Sequence, residues 1–126
     1  MRGYESLVAW QMAQRLCVGV LEATDGPLPR RAWVVTDQLR RAAVSADVNI
    51  VEGYALATKP LFLRHARISL GSTAEAQRLL RIAMQRGYLP PETVRPLLEL
   101  ADQTMACLSG LFRSKNLPFG APTSRR

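Results

Sequence analysis

Four amphipathic segments of helical period, the absence of any alternating apolar and polar run, and Gly- and Pro-marked connections too short to carry a crossover predict an all-α chain. Short connections make successive helices antiparallel neighbours, so the expected architecture is an up-down four-helix bundle forming a single domain. A chain of 126 residues supports one core and no second domain. The bundle is expected over residues 1–114, with residues 115–126 as a flexible basic tail rich in Pro, Gly and Ser.

The first helix is predicted from about Tyr4 to Thr24, with Leu7, Trp10, Ala13, Cys17, Val20 and Leu21 on one face. It stops at Asp25-Gly26-Pro27, where Gly permits a left-handed cap and Pro prevents continuation. The second is expected from near Arg31 to Gly53, with Val35, Leu39, Ala42, Ala46 and Ile50 as a core stripe of mostly small residues. Thr58 is the expected N-cap of the third, with Pro60 in the tolerant first turn and Gly87 as the stop after Arg86. Its predicted core face is Leu61, Phe62, Ile68, Ser72, Ala76, Leu79, Leu80 and Ala83. The fourth helix begins near Pro91, buries Leu97, Leu100, Ala101, Thr104, Leu108, Leu111 and Phe112, and fades by Ser114. Pro96 removes one backbone hydrogen bond near its start, so a bend or ragged first turn is expected there.

The formal charge of +7 is distributed unevenly. Residues 1–63 carry seven bases against six acids, whereas residues 64–126 carry ten bases against four. At about 100° per residue, Arg64, Arg67, Arg78 and Arg81 fall on the side of the third helix opposite its core face. Such a face attracts polyanions, and phosphates of RNA or DNA are the expected ligand, with Arg86 and the tail residues Arg125 and Arg126 adding to it. No aromatic residue interleaves with these arginines along the helix, so base stacking and sequence-specific recognition are not expected.

Catalytic chemistry finds little support. The lone His65, flanked by Arg64 and Arg67, reads as a solvated surface residue, and no second histidine exists. Cys17 and Cys107 lie on core faces without an activating base and read as packing residues. The Glu-x-x-His spacing of a bundle metal site is missing, and no glycine-rich loop follows a strand. No enzyme activity, cofactor or metal is therefore expected. Apolar runs such as Leu61-Phe62-Leu63 are far too short to span a membrane, no signal peptide is evident, and two cysteines make no disulfide framework, so the expected location is the cytoplasm.

The second helix carries a polar stripe. Gln38, Arg41, Ser45, Asn49 and Glu52 line one side of it within about 80°. With Glu75, which falls at the margin of the third helix's core face, the residues Arg41, Ser45, Asn49 and Glu52 read as a structural network with Arg41 as the cationic partner, in preference to a ligand site. Beyond the stripe lie Trp33, Val44, Val48 and Val51, a second apolar strip that a monomer would leave partly in water, and the expected occupant is another subunit.

Gln38-Leu39-Arg40-Arg41-Ala42-Ala43-Val44-Ser45, followed by Asn49-Ile50-Val51-Glu52-Gly53, resembles the signature of a bacterial four-helix-bundle family also called the 23S rRNA intervening-sequence proteins. Leu7-Val8-Ala9-Trp10-Gln11, Gly71-Ser72-Thr73-Ala74-Glu75 and Gly87-Tyr88-Leu89 resemble three further segments of that family, and together the matches span about Tyr4 to Arg113. The resemblance implies a ring-shaped homo-oligomer, usually a pentamer. It also implies kinship with the accessory protein of diversity-generating retroelements, which binds nucleic acid and its reverse transcriptase. The rival expectation is accordingly an oligomeric scaffold or adaptor that docks a protein partner such as a reverse transcriptase without touching nucleic acid. Where the family often has Pro after Ser-Ile in its second helix, this chain has Asp47 after Ser45-Ala46, which implies a straighter helix and a negative charge near the subunit interface.

Overall fold

The computed structural model describes residues 3–115, 117 and 119. Among these there is no strand, and four helices follow one another: α1 Val8–Thr24, α2 Trp33–Leu56, α3 Lys59–Gln85 and α4 Pro91–Arg113. Each packs on its neighbours, α1 on α2 and α4, and α3 on α2 and α4, closing an antiparallel four-helix bundle.

The ends follow local chemistry, with two departures from expectation. A 3-10 turn over Gly3–Ser6 precedes α1, and another over Arg30–Ala32 precedes α2, so both α-helices start later than their apolar periodicity suggests. Helix α2 does not stop at Gly53 but runs to Leu56, and Ala57 makes the turn at a φ of 61°. Gly53 is buried inside the helix, where a Cβ would lie 2.8 Å from the His65 Cβ and 3.2 Å from the Phe62 carbonyl oxygen. This glycine serves close helix approach and not termination. The Thr58 hydroxyl accepts from the Leu61 N–H as the N-cap of α3. At the other end Gly87, with a φ of 72°, lets Tyr88 N–H reach the Ala83 carbonyl and its own N–H reach that of Met84, a Schellman closure. Pro96 is accommodated within α4.

Ala42 aside, the buried positions follow a three-four alternation: Thr36, Leu39, Ala43, Ala46, Ile50 and Gly53 in α2, and Phe62, Ala66, Ser69, Thr73, Ala76, Leu80 and Ala83 in α3. This is the seam of a bundle packed knobs into holes. It corrects the predicted core face of α3, because Ile68 is 43% exposed while Ser69 and Thr73 are fully buried. Their hydroxyls are satisfied by backbone carbonyls, Ser69 donating to Ala46 across the helix pair at 2.6 Å and Thr73 to Ser69 at 2.8 Å. With Thr104, which donates to Leu100, they separate two apolar clusters. The larger contains Leu16, Val20, Leu39, Leu80, Val94 and Leu97, and the smaller contains Ala9, Ala13, Ile50, Ala66 and Leu108. Beyond α4, Leu117 is buried and the Phe119 ring packs at 5.0 Å on both Tyr54 and Phe62. Arg125 and Arg126 lie outside the described residues.

Gly53→Ala tests the close approach. Intrinsic helix propensity alone favours Ala over Gly by about 1 kcal/mol. The steric conflict with α3 outweighs this, and chemical denaturation is expected to show a net loss of about 1 to 3 kcal/mol.

Candidate functional site

All five arginines predicted to bind nucleic acid are exposed. Arg64, Arg67, Arg78 and Arg81 lie on the side of α3 turned away from its buried seam, within an arc of about 100°. Among the described residues none of them, nor Arg86, forms an ion pair. Two details were not legible in the helix pattern. The Arg67 guanidinium lies 4.9 Å from the centroid of the Phe112 ring of α4, so an aromatic does meet the arginine face, from the neighbouring helix. Arg81 shares a groove between α3 and α4 with Arg95, Glu99 and Asp102, so acids border that half of the face. Arg86 caps α3 and lies over the Tyr88 ring at 5.9 Å, apart from the other four.

The polar stripe of α2 meets α3 along a string of hydrogen bonds. The Ser45 and Ser72 hydroxyls are 2.7 Å apart, Asn49 Nδ2 donates to the Ser45 hydroxyl at 3.1 Å, and His65 Nδ1 lies 2.9 Å from Asn49 Oδ1. Glu52 stands 3.7 Å from the same His65 nitrogen. Ser45, Asn49 and Glu52 are thus brought together, through a half-buried histidine expected to be solvated. Glu75 and Arg41 are not part of this string. Glu75 accepts from Gln38 Nε2 at 2.6 Å, which takes the place expected for Arg41, and Arg41 makes no ion pair among the described residues. The expected partnership of Arg41 with the two acids is therefore corrected: the Gln38 amide faces Glu75 and the His65 ring faces Glu52.

On the outer side of α2, Trp33 is 52%, Val44 37% and Val48 43% exposed, and Val51 is half-buried. Leu21, Arg40, Arg41, Val44, Ser45, Val48 and Asn49 line a shallow open groove of about 480 Å3 between α1 and α2. Its rim carries an interaction the sequence does not announce. Arg40 donates to the Thr24 hydroxyl at 2.7 Å and pairs with Asp25 at 3.1 Å, so a cation from α2 caps the C-terminus of α1, where unpaired carbonyls favour positive charge.

The model of one protein family, described as the 23S rRNA-intervening sequence protein, matches residues 5–110. The chain belongs to this family. Two of the segments carrying the resemblance, one in α2 and one in α3, prove to be the two sides of one seam, since Gln38 and Ser45 bond to Glu75 and Ser72. A crystal structure of a protein of unknown function from the S23 ribosomal protein family of Bacteroides thetaiotaomicron shares the fold. The two are 15% identical, with a TM-score of 0.70 over 85% of this chain and 100% of that one. No curated protein matches the sequence. The family name refers to 23S rRNA and assigns no activity. Among the described residues no cluster of His, Cys, Asp and Glu could hold a metal, and no helix is long and apolar enough to cross a membrane.

This family member also half-buries a carboxylate. Trp10 Nε1 donates to Asp47 Oδ1 at 2.9 Å, tying α1 to α2 beside the exposed strip. Burial holds the Asp47 carboxyl above its ordinary range, and the Trp10 bond offsets only part of that. Burial together with Asp47 pushes the Cys17 thiol up to about 11, which makes it a poor nucleophile at neutral pH. The folded chain thus binds the Asp47 proton more tightly than the unfolded chain does. Its contribution to stability is full below the unfolded carboxylate range and is lost as the pH rises through the folded pKa. Asp47→Asn keeps an acceptor for Trp10 and carries no charge to desolvate. Thermal melts are expected to show this variant more stable than the parent at neutral pH, with the gap closing below a pH of about 4.

Proposed function

We propose that this protein is a non-enzymatic homo-oligomer that binds RNA or DNA through phosphate contacts made by the arginine face of α3. The observation that carries this reading is the set of exposed arginines Arg64, Arg67, Arg78 and Arg81 on one helical face, none engaged in an ion pair among the described residues. An unpaired guanidinium keeps its fork of donors for a phosphate. Contacts of this kind position a polyanion without reading its bases, so binding tolerates any sequence. The family's association by name with 23S rRNA points the same way.

One copy offers few phosphate contacts, and linked copies gain through effective concentration. Self-association through Trp33, Val44, Val48 and Val51 supplies those copies, with burial of the four side chains worth on the order of several kcal/mol per interface. The pentameric ring implied by the family resemblance is the assembly we adopt. Ser45, Asn49, Glu52 and their partner His65 then act structurally, holding α2 to α3. The amphipathic groove between α1 and α2 favours a second reading, an adaptor that docks a protein partner such as a reverse transcriptase. We place either activity in the cytoplasm.

Light scattering at micromolar concentration is expected to report an oligomer, and Val48→Asp to shift it toward monomer. Replacing Arg64, Arg67, Arg78 and Arg81 together by Gln is expected to weaken RNA and DNA binding about equally across sequences. The slope of log affinity against log salt should fall by one or more, at about 0.7 for each single-strand phosphate no longer neutralised. Failure of the parent protein to shift any nucleic acid at low salt would sink the nucleic-acid reading and leave the adaptor.

A further inference from the structure

The arginine face is not electrostatically uniform, because α4 runs beside it. Two contacts set the register of the antiparallel pair: Gln77 donates to Asp102, and Arg67 rests on Phe112. Moving toward the start of α3 therefore moves toward the end of α4. Beside Arg81, α4 presents Glu99 and Asp102 together with Arg95, and Glu75 lies one turn before Arg78 on α3 itself. The position on α4 that shares the azimuth of Asp102, about three turns further on, is Arg113. Between them the flank is occupied by Ala106, Ser109 and Gly110, which carry no charge. Arg113 and Lys115 are exposed and, among the described residues, form no ion pair. Arg64, Arg67, Arg113 and Lys115 thus gather where α3 begins and α4 ends, opposed by Glu52, which faces His65. At the other end Arg78, Arg81 and Arg95 stand against three acids, Glu75, Glu99 and Asp102. The partial charge of about −0.5 at the C-terminus of α4 reduces the first excess without cancelling it.

We infer that the phosphodiester backbone is held at this one end, by Arg64 and Arg67 of α3 with Arg113 and Lys115 at the end of α4, while Arg78 and Arg81 contribute little. The inference rests on the phosphate-binding reading above and narrows it to a site. Phe112 has a defined part in it: its ring supports the Arg67 guanidinium from below, holding the fork extended toward a ligand and leaving its N–H groups free to donate. At the far end the acids Glu99 and Asp102 repel phosphate and offset Arg81 and Arg95.

The test compares two matched double variants, Arg64→Gln with Arg67→Gln and Arg78→Gln with Arg81→Gln, binding labelled oligo(U) and oligo(dT) of equal length over a salt series. All four positions are exposed on helices, so the variants are expected to fold, which circular dichroism checks. The first pair is expected to lower the slope of log affinity against log salt by about 1.4, and the second to leave it nearly unchanged. Arg113→Gln is expected to weaken binding on its own. Conversely, Glu99→Gln with Asp102→Asn should raise affinity by removing negative charge that repels phosphate beside Arg81 and Arg95. Equal losses from the two double variants, or no gain from neutralising the acids, would overturn the one-ended site and leave phosphate binding intact. Absence of binding by the parent protein to both oligonucleotides at low salt would remove the broader reading instead. The ratio of oligo(U) to oligo(dT) affinity identifies which nucleic acid the site prefers.

Discussion

Two long helices can approach until a serine hydroxyl on one reaches a backbone carbonyl on the other only when the residues between them are small. The α2–α3 pair meets that condition with Ala42, Ala43, Ala46 and Gly53 facing Ala66, Ser69, Thr73 and Ala76, all of them buried. The Ser69 to Ala46 bond is the result, and three side-chain pairs share its register: Gln38 with Glu75, Ser45 with Ser72, and Asn49 with His65. Because neighbouring positions on a helix are tied at about 100°, fixing this register also fixes what faces away from it. On α3 the far side is the arginine face, and on α2 it is the strip of Trp33, Val44 and Val48. Neither surface is independently built.

The same close packing explains why the seam is polar at its edges. Small residues bring two backbones near each other and leave little room for the branched side chains that would cover the flanks, so hydrogen-bonding groups occupy them. Their donors and acceptors are mutually satisfied, and a string of this kind specifies register, since a slip along either helix would separate every pair at once. Arg40 does similar work between α1 and α2, where it converts the exposed end of one helix into a contact with the next.

Much of this is legible in the sequence because it is local. The periodicity that separates Arg64, Arg67, Arg78 and Arg81 from the buried side depends only on helical geometry, and Thr58 and Gly87 act within a few residues of themselves. Gly53 misleads because glycine carries two meanings, termination and close approach, and only the opposing helix distinguishes them. Hydrophobicity favours Ile68 for the core over Ser69, yet a hydroxyl that finds a carbonyl costs little to bury, and that carbonyl belongs to Ala46, over twenty positions away. The partners of Glu75, Glu52 and Asp47 escape for the same reason: pairing charges across helices requires a register that a single strip of sequence does not contain. His65 reads as a surface residue from its arginine neighbours, and its contact with Asn49 exists only once α2 and α3 are aligned.

The belt formed by Ser69, Thr73 and Thr104 divides the interior into unequal halves, and this bears on how the molecule breathes. The larger half holds thirteen buried apolar residues, while the smaller holds five, closed over by Leu7, Trp10, Leu70, Leu111 and Phe112, which are only partly buried. Apolar area removed from water sets most of the free energy of opening, so the smaller half is the one that loosens at less cost while the larger stays closed. The more yielding half is also the one beneath Arg64, Arg67 and Arg113, so these arginines stand on the more adaptable ground of the bundle.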